Sequence, residues 1–125
     1  MKQPPNAPSD AIMYGIPNCS TIKKARDWLE ANGIAYKFHD YKKQGVPLAE
    51  LEKMMAAQDW EAFLNRRGPT WRKLDTATQA SVTDAASALT VMQANPSVIK
   101  RPLIISNDRH LLGFAEAAYA DFFAQ

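Results

Sequence analysis

The sequence has few of the residues that make covalent or metal-bound frameworks. Its 125 residues include one cysteine, Cys19, and two histidines, His39 and His110. One cysteine cannot form an intramolecular disulfide, so a reducing compartment is expected and any thiol chemistry needs an outside thiol. The histidines have no metal-ligand spacing to one another or to Cys19, which indicates structural roles and no bound metal.

Long apolar runs and a strong charge of one sign are also missing. No segment approaches the roughly 18 consecutive apolar residues of a membrane span, and the first residues lack the apolar centre of a signal peptide. The net charge is +2, from 15 basic and 13 acidic side chains, whereas nucleic-acid-binding domains usually carry a concentrated basic surface. These absences predict a cytoplasmic protein that binds neither a membrane nor nucleic acid directly.

Hydrophobic residues are frequent enough for one packed core. They make up 46% of the chain, and this length is typical of a single domain. Residues 1–10 hold three of the eight prolines and show no hydrophobic periodicity, so we interpret them as a flexible N-terminal arm. Residues 11–125 are expected to form the domain.

Hydrophobic periodicity in the first half predicts an α/β fold. The apolar run 11–14 is typical of a buried strand. Helical spacing then predicts a helix from Ser20 to Asn32-Gly33, and an alternating strand follows from Ile34. A strand, helix and strand of this size normally form a right-handed parallel crossover.

The middle of the chain, from Pro47 to about Pro96, is predicted to be helical. Apolar residues recur there at helical spacing in three groups, and Trp60, like the earlier Trp28, falls among such residues and is expected in the core. Residues 65–74 between the helices are expected to be a loop that contains Arg66, Arg67, Arg72 and Lys73. Trp71 in this loop could line a cleft or pack the loop down.

The end of the chain returns to strands. The segments 103–106 and 110–113, with a turn at Asn107-Asp108, predict an antiparallel hairpin. A last helix is predicted to cover the sheet with an apolar stripe that consists of Ala118, Tyr119, Phe122 and Phe123.

Cys19 is the leading candidate for chemistry because it lies where the first strand gives way to the first helix. Free N–H groups and the positive end of the helix dipole favour an anion at such a position, and a thiolate is an anion. Lys23 adds positive charge nearby. Helix N-termini and cationic neighbours lower a cysteine pKa from about 8.5 to about 3.5–7.5. The alternative is a small buried apolar cysteine.

The segment that follows Cys19 departs from the dithiol pattern. Cys19-Ser20-Thr21-Ile22 resembles the active-site segment of thioredoxin folds, but Ile22 stands where a dithiol enzyme has its second cysteine. A mixed disulfide formed at Cys19 therefore has to be released by an external thiolate, for which glutathione is the abundant candidate.

Three separated motifs carry a wider resemblance, which runs from about Ala11 to the C-terminus. The motifs are Tyr14-Gly15-Ile16-Pro17-Asn18-Cys19-Ser20-Thr21-Ile22-Lys23-Lys24-Ala25-Arg26, Leu64-Asn65-Arg66-Arg67-Gly68-Pro69-Thr70-Trp71-Arg72-Lys73-Leu74 and Ile99-Lys100-Arg101-Pro102-Leu103-Ile104. Together they resemble the ArsC/Spx family, and within it the YffB-like branch of ArsC-like reductases. The resemblance implies a thioredoxin-like fold: a mixed four-stranded sheet with flanking helices and a helical insertion, about residues 47–96, between strands 2 and 3.

The same resemblance implies a set of site residues around Cys19. Arg101-Pro102 is expected to be a cis peptide beside the cysteine, with Arg101 binding an oxyanion. Either Arg66 or Arg67 matches another family arginine. With Asn18 and Lys23, the binding residues are predicted to be Asn18, Lys23, Arg66, Arg101 and Pro102.

One expected family arginine is missing. The third oxyanion-binding arginine of the arsenate reductases should fall near Leu112-Gly113-Phe114, which contains none. This disfavours arsenate as the substrate, and Arg109 is the only substitute a few residues away.

Three functions follow from the residues and the resemblance. The first is a glutathione-dependent thiol-disulfide reductase that acts on a disulfide or a glutathionylated substrate through Cys19, with glutathione as co-substrate. The second is an arsenate reductase that uses the same nucleophile. The third is a non-catalytic, Spx-like regulator that binds RNA polymerase, although Spx switches use a Cys-x-x-Cys pair that Ile22 breaks.

Overall fold

A computed structural model describes residues 11–107 and 109–124 of the chain. The predicted arm, residues 1–10, and Asp108 of the predicted turn lie outside the described residues. The chain divides into two compact units. The first unit comprises the residues up to Asp40 together with those from Arg101 on, and the second unit comprises Tyr41–Lys100. The expectation of one domain over 11–125 stays a prediction.

Among the described residues, the first unit contains the four strands and two helices, and the elements of the second unit are all helical. The strands are β1 (Ile12–Gly15), β2 (Lys37–Asp40), β3 (Leu103–Ser106) and β4 (Arg109–Leu112). The helices are α1 (Ser20–Ala31), α2 (Tyr41–Gln44), α3 (Leu48–Ala57), α4 (Pro69–Lys73), α5 (Thr76–Ala80), α6 (Ala85–Ala94) and α7 (Glu116–Phe122), with 3-10 turns at Trp60–Phe63 and Pro96–Val98.

The four strands form one mixed sheet in the order β2-β1-β3-β4. β1 pairs with β2 in parallel, from Ile12 opposite Lys37 to Gly15 opposite Asp40. β3 is antiparallel to both of its neighbours, β1 and β4. The predicted parallel crossover and the predicted hairpin are therefore both confirmed.

β2 begins three residues later than the alternation from Ile34 predicted. The reason is the way α1 ends: Gly33 takes a positive φ of 67°, and the N–H of Ile34 donates to the carbonyl of Leu29 at 2.9 Å. This hydrogen bond closes the helix in a Schellman arrangement, so Ile34 belongs to the helix terminus. The strand joins the sheet at Lys37, whose N–H donates to the carbonyl of Ala11 at 3.0 Å.

The core of the first unit lies between the sheet and the two helices α1 and α7. The side chains in it share nearly complete burial and include Ala11, Met13, Ile22, Ala25, Leu29, Ile104, Tyr119 and Phe122. Trp28, predicted for the core, is partly buried and packs edge-on against Tyr119 with ring centroids 5.7 Å apart. Ala118, predicted for the apolar stripe of α7, is exposed, because the helix turns its Tyr119 face to the sheet.

The second unit is helical, as predicted, but it contains two short helices that were not predicted. α2 is one of them, and α4 lies inside the segment expected to be a loop. Gly68 caps α4 and Pro69 is its first residue, a position where the missing N–H of proline costs nothing. The buried hydrophobic residues of the unit are Tyr41, Leu51, Met54, Met55, Phe63, Leu64, Val82, Ala88, Val91, Met92, Val98 and Ile99.

The predicted fold class is confirmed. The sheet is four-stranded and mixed, helices flank it, and all the helices of the second unit are inserted between β2 and β3. The order of these elements is that of the thioredoxin-like fold. None of the helices within residues 11–107 and 109–124 is long and apolar enough to cross a membrane.

Candidate active site

Cys19 immediately precedes α1, as predicted. Its backbone is extended, with φ −145° and ψ 125°, and it occupies the N-cap position. The carbonyl of Cys19 accepts the first helical hydrogen bond, from the N–H of Lys23 at 3.0 Å, while its own N–H donates to the carbonyl of Pro17 at 3.0 Å. The half-buried thiol thus lies next to the unpaired N–H groups of the first helical turn.

Gly15 sets the close approach of β1 to α1. A side-chain carbon at Gly15 would overlap the Cδ1 atom of Ile22, so only glycine leaves room for that side chain. Ile22 is buried in the core of the first unit. The position of a second active-site cysteine in dithiol enzymes is therefore a core position in this chain.

The local environment stabilises the thiolate of Cys19. Burial raises the pKa of the thiol, but the backbone N–H groups of Ile22 and Thr21 and the side chain and charge of Arg101 lower it by more. The net effect places the pKa of Cys19 below its ordinary value. More of this thiol is ionised at neutral pH than of a free cysteine.

Arg101 and Pro102 lie at the entrance to β3. The peptide bond between them is cis, which confirms the expectation from the family resemblance. The carbonyl of Pro102 accepts a hydrogen bond from the N–H of Gly113 at 2.8 Å, which ties this turn to the end of β4. The structure brings the half-buried Arg101 to Cys19, and the role of both residues in substrate binding stays a prediction.

Lys23 and Asn18 are both exposed at the start of α1. Lys23 forms an ion pair with Asp27 at 2.8 Å, with the two side chains 75% and 63% exposed, and its hydrogen bond to Asp27 raises the pKa of Lys23. The groups that lower the pKa of Cys19 are those of the helix terminus and Arg101, and Lys23 is not among them. The structure therefore gives Lys23 a partner other than the cysteine.

Arg66 and Arg67 lie in the second unit, before α4. Arg66 donates from Nη1 to Glu61 at 2.9 Å, and its guanidinium lies 5.8 Å from the ring centroid of Trp60 and 5.7 Å from that of Trp71. Trp71 is thus packed against its own segment. Arg67 is exposed, and its backbone N–H donates to Asn65 at 3.2 Å.

Arg109, the substitute for the missing third arginine, is placed against α7. Its guanidinium carbon lies 4.2 Å from the ring centroid of Phe122. The third arginine was expected near Leu112-Gly113-Phe114. In this segment, the carbonyl of Gly113 accepts a hydrogen bond from the hydroxyl of Tyr119 at 2.6 Å, which ties the segment to α7.

The two histidines pack against other parts of the sheet. The ring of His39 lies 4.7 Å from the ring of Tyr14, and burial lowers the pKa of His110. Among residues 11–107 and 109–124, no three histidine, cysteine or carboxylate side chains are grouped in a way that could hold a metal ion.

An open groove, which the sequence did not predict, lies along one face of α1. It has a volume of about 660 Å³ and is lined by Thr21, Lys24, Asp27, Trp28, Phe114 and Glu116. Thr21 also supplies one of the N–H groups that stabilise the Cys19 thiolate. The groove therefore begins at Thr21, which lies two residues after Cys19 in the chain. The helical spacing of Thr21, Lys24 and Trp28 is visible in the sequence. The sequence does not show that Phe114 and Glu116 line the same groove.

Comparison with known proteins identifies the family of the chain. The model of the ArsC family matches residues 14–122. An uncharacterised protein of Haemophilus influenzae is 41% identical over 112 residues, which cover 90% of this chain and 97% of that protein.

Two further proteins extend the comparison. The solved structure of the YffB protein is 46% identical, with a TM-score of 0.86 over 91% of this chain and 99% of its own. The global transcriptional regulator Spx of Listeria innocua is 28% identical over 83% of this chain and 79% of its own. The chain belongs to the ArsC family.

Proposed function

We propose that the protein is a glutathione-dependent thiol-disulfide reductase with Cys19 as its single nucleophile. The observation that carries the proposal is the position of Cys19 at the start of α1 beside Arg101, with a thiol pKa below the ordinary value. An ionised, half-exposed sulfur is the form that attacks a disulfide. Such chemistry needs a reducing compartment such as the cytoplasm.

The first step is attack of the Cys19 thiolate on one sulfur of the substrate disulfide. The substrate S–S bond breaks, a Cys19 mixed disulfide forms, and the other substrate sulfur leaves as a thiolate that takes a proton from water. With a glutathionylated substrate, the mixed disulfide holds glutathione. The N–H groups of Thr21 and Ile22 stabilise Cys19 as a thiolate before attack and as a leaving group afterwards.

The second step needs a thiol from outside the chain. Cys19 is the only cysteine, and the position that would hold a resolving cysteine is the buried Ile22. When the mixed disulfide holds glutathione, a second glutathione thiolate attacks the sulfur of the bound glutathione, Cys19 leaves as a thiolate, and oxidised glutathione is released. Over both steps, a glutathionylated substrate and one glutathione give the substrate thiol and oxidised glutathione. When the mixed disulfide holds another substrate sulfur, the same attack releases a substrate–glutathione disulfide, and a second glutathione completes the reduction. No metal takes part.

The charges near the site suit the carboxylates of glutathione. Arg101 supplies the cation at the sulfur, and we assign a carboxylate-binding role to Lys23 as well, with Asn18 and Pro102 contributing polar and backbone contacts. The binding role expected for Arg66 of the second unit stays a prediction. Guanidinium groups bind carboxylates through two parallel N–H donors.

The test is turnover of a glutathione mixed disulfide, coupled to the reduction of oxidised glutathione, with wild-type protein and Cys19→Ser. The wild type is expected to turn over and to carry one glutathione by intact mass after treatment with oxidised glutathione. Cys19→Ser should stay folded by circular dichroism and lose both properties. Full turnover by Cys19→Ser would overturn the mechanism, and turnover that cysteine supports as well as glutathione does would overturn the role of glutathione.

Arsenate reduction is the second candidate, and the position of Arg101 beside Cys19 favours it, because an oxyanion could bind between them. The absence of an arginine from Leu112-Gly113-Phe114 and the contact of Arg109 with Phe122 weigh against it. Assay of arsenate with glutathione and glutaredoxin distinguishes the two activities, since a thiol-disulfide reductase leaves arsenate unchanged.

The similarity to Spx regulators favours a third candidate, a protein that binds RNA polymerase without turnover. Ile22 in place of a second cysteine removes the dithiol switch of such regulators. Co-purification with RNA polymerase, together with an unreactive Cys19, would support this function and contradict the reductase.

A further inference from the structure

The open groove along α1 lies entirely within the first unit. Its volume is about 660 Å³, and its lining comprises Thr21, Lys24, Asp27, Trp28, Phe114 and Glu116. At about 1.5 Å per residue, the distance from Thr21 to Trp28 is roughly 10 Å along the helix. Glu116 is the first residue of α7. We refer to this feature as the α1 groove.

The aromatic walls of the α1 groove pack on one buried residue, Tyr119. The ring centroid of Trp28 lies 5.7 Å from that of Tyr119, and the ring centroid of Phe114 lies 4.8 Å from it, both edge-on. Tyr119 is fully buried, and its hydroxyl donates to the carbonyl of Gly113 at 2.6 Å. Because both rings pack on a residue that is itself fixed, the groove exists before a ligand binds, which reduces the entropy that binding costs.

Two opposite charges line the α1 groove without being paired. Lys24 and Glu116 are both exposed, and within residues 11–107 and 109–124 neither side chain forms an ion pair or a side-chain hydrogen bond. The third charged residue of the lining, Asp27, is paired with Lys23 at 2.8 Å. Among the described residues, the groove therefore offers a cation on α1 and an anion at the start of α7 to a ligand.

A ligand that carries both charges suits this groove better than a simple cation or a simple anion. A simple cation would meet Lys24 and a simple anion would meet Glu116, and like charges brought together are unfavourable. An α-amino-acid group has an ammonium and a carboxylate on one carbon atom, so it can pair with both side chains at once. The methylene groups of such a ligand can pack against the aromatic walls.

We propose that Lys24 and Glu116 bind the α-amino-acid end of the glutathione that is joined to Cys19, Lys24 through its carboxylate and Glu116 through its ammonium group. The inference rests on the proposed function in one respect, that the ligand is glutathione, whose γ-glutamyl residue carries this group. Thr21 links the groove to the nucleophile, because it lines the groove and its N–H group stabilises the Cys19 thiolate. The site therefore favours a glutathione disulfide over the disulfide of a thiol that lacks the γ-glutamyl residue.

The first experiment compares two disulfides that differ only in the γ-glutamyl residue. One peptide carries either glutathione or cysteinylglycine on its single cysteine, and kcat/KM is measured for each at constant glutathione. The wild type should prefer the glutathionylated peptide roughly tenfold, since two exposed ion pairs contribute about threefold each. Lys24→Met and Glu116→Gln should each lower the preference about threefold, and the double variant should remove it. A wild type without this preference, or a double variant that keeps it, would overturn the inference.

Matched controls lie in the first unit outside the groove. Lys37→Met removes an exposed cation of β2, and Asp121→Asn removes an exposed anion of α7. Both variants should keep the wild-type preference.

An exchange of the two charges tests their pairing with the ligand. The exchange variant, Lys24→Glu with Glu116→Lys, keeps both charges in the groove and should recover part of the preference that Lys24→Glu alone removes. Circular dichroism shows whether each variant is folded. A folded exchange variant without any recovery would contradict the pairing.

The second experiment measures binding without turnover. S-methylglutathione cannot form a disulfide, and its titration should shift the indole N–H resonance of Trp28, which lines the groove, in the NMR spectrum. S-methylcysteinylglycine lacks the γ-glutamyl residue and should leave this resonance in place. If the shift occurs in a protein without reductase activity, the inference stands and the proposed function fails. If glutathione disulfides are reduced but the Trp28 resonance does not move, the proposed function stands and the inference fails.

Discussion

The side chain of Arg101 contacts the sulfur of Cys19 and stabilises its thiolate. Arg101 does so through a side-chain hydrogen bond and through its charge, which together with the N–H groups of Ile22 and Thr21 offset the effect of burial on the thiol. Arg101 reaches this place from the far end of the chain because β3 pairs directly with β1. The cation and the nucleophile are therefore assembled by the central pair of strands.

Arg101→Met should raise the pKa of Cys19, because it removes the cation and the side-chain donor while keeping a long apolar stem. The measurement is the rate of alkylation by iodoacetamide against pH, and the midpoint should move to higher pH with a slower reaction at pH 7. Arg109→Met is the matched control, since Arg109 contacts Phe122, and its midpoint should equal that of the wild type. An unchanged midpoint in Arg101→Met would contradict the role of Arg101.

The lowered pKa of Cys19 also predicts how stability depends on pH. The folded thiol ionises at lower pH than the unfolded one, whose pKa is about 8.5, so ionisation favours the folded state above the unfolded pKa. This contribution is lost as the pH falls through the folded pKa. The free energy of unfolding of the wild type, relative to Cys19→Ser, should therefore be larger at about pH 9.5 than at about pH 6. An equal difference at both pH values would count against a lowered pKa.

The parts of the fold that short-range signals determine were predictable. The run 11–14, the helix that starts at Ser20 and the glycine at position 33 each follow from neighbouring residues, and the structure confirms the elements that they predict. The start of β2 was mispredicted because the alternation after Ile34 continues through residues that close α1. Hydrophobic periodicity does not distinguish residues that close a helix from residues that form a strand.

In the candidate site, too, the features set by neighbouring residues were predictable and those set by tertiary contacts were not. The place of Cys19 at a helix start was predictable. The ion pair of Lys23 with Asp27, four residues on, was not predicted, because Lys23 was considered only as a charge near Cys19. The contacts of Arg66 with Trp60 and Trp71 were not predictable, because the two rings meet Arg66 only after the 3-10 turn at Trp60–Phe63 and α4 have formed. Contacts of this kind depend on tertiary packing and leave no period in the sequence.

Tyr119→Phe should destabilise the first unit. The buried hydroxyl of Tyr119 donates to the carbonyl of Gly113 at 2.6 Å, and burial raises the pKa of Tyr119, so the hydroxyl stays protonated as a donor. Loss of this donor should cost about 1–3 kcal/mol because a buried carbonyl loses its partner. Denaturant unfolding of the two proteins measures the cost. A variant as stable as the wild type would show that water replaces the hydroxyl.

Asp84→Ala should destabilise α6 without affecting the chemistry at Cys19. Asp84 accepts a hydrogen bond from the N–H of Ser87 at 2.9 Å, and the hydroxyl of Ser87 accepts one from the N–H of Asp84 at 3.0 Å, which together form a capping box. Removal of an N-cap side chain costs about 0.5–2 kcal/mol. Thermal unfolding should report this loss, while the alkylation midpoint of Cys19 stays that of the wild type. A shifted midpoint would contradict the separation of the two roles.

Gly15→Ala should destabilise the junction that carries Cys19, since its side-chain carbon would overlap the Cδ1 atom of Ile22. Ile22 is buried in a packed core, so it cannot move without displacing neighbours, and overpacking of this kind costs about 1–3 kcal/mol. The alkylation rate of Cys19 should change as well, because Ile22 supplies one of the N–H groups that lower its pKa.

The double variant Gly15→Ala with Ile22→Val tests the cause of this loss. Valine lacks the Cδ1 atom, so the clash disappears, although Ile22→Val alone should cost about 0.5–1.5 kcal/mol through the methyl group that it removes. If the clash is the cause, the double variant is more stable than the sum of the two single changes allows. Additive free energies of unfolding would show instead that Gly15 is required for its backbone, and that the spacing between β1 and α1 does not depend on the contact with Ile22.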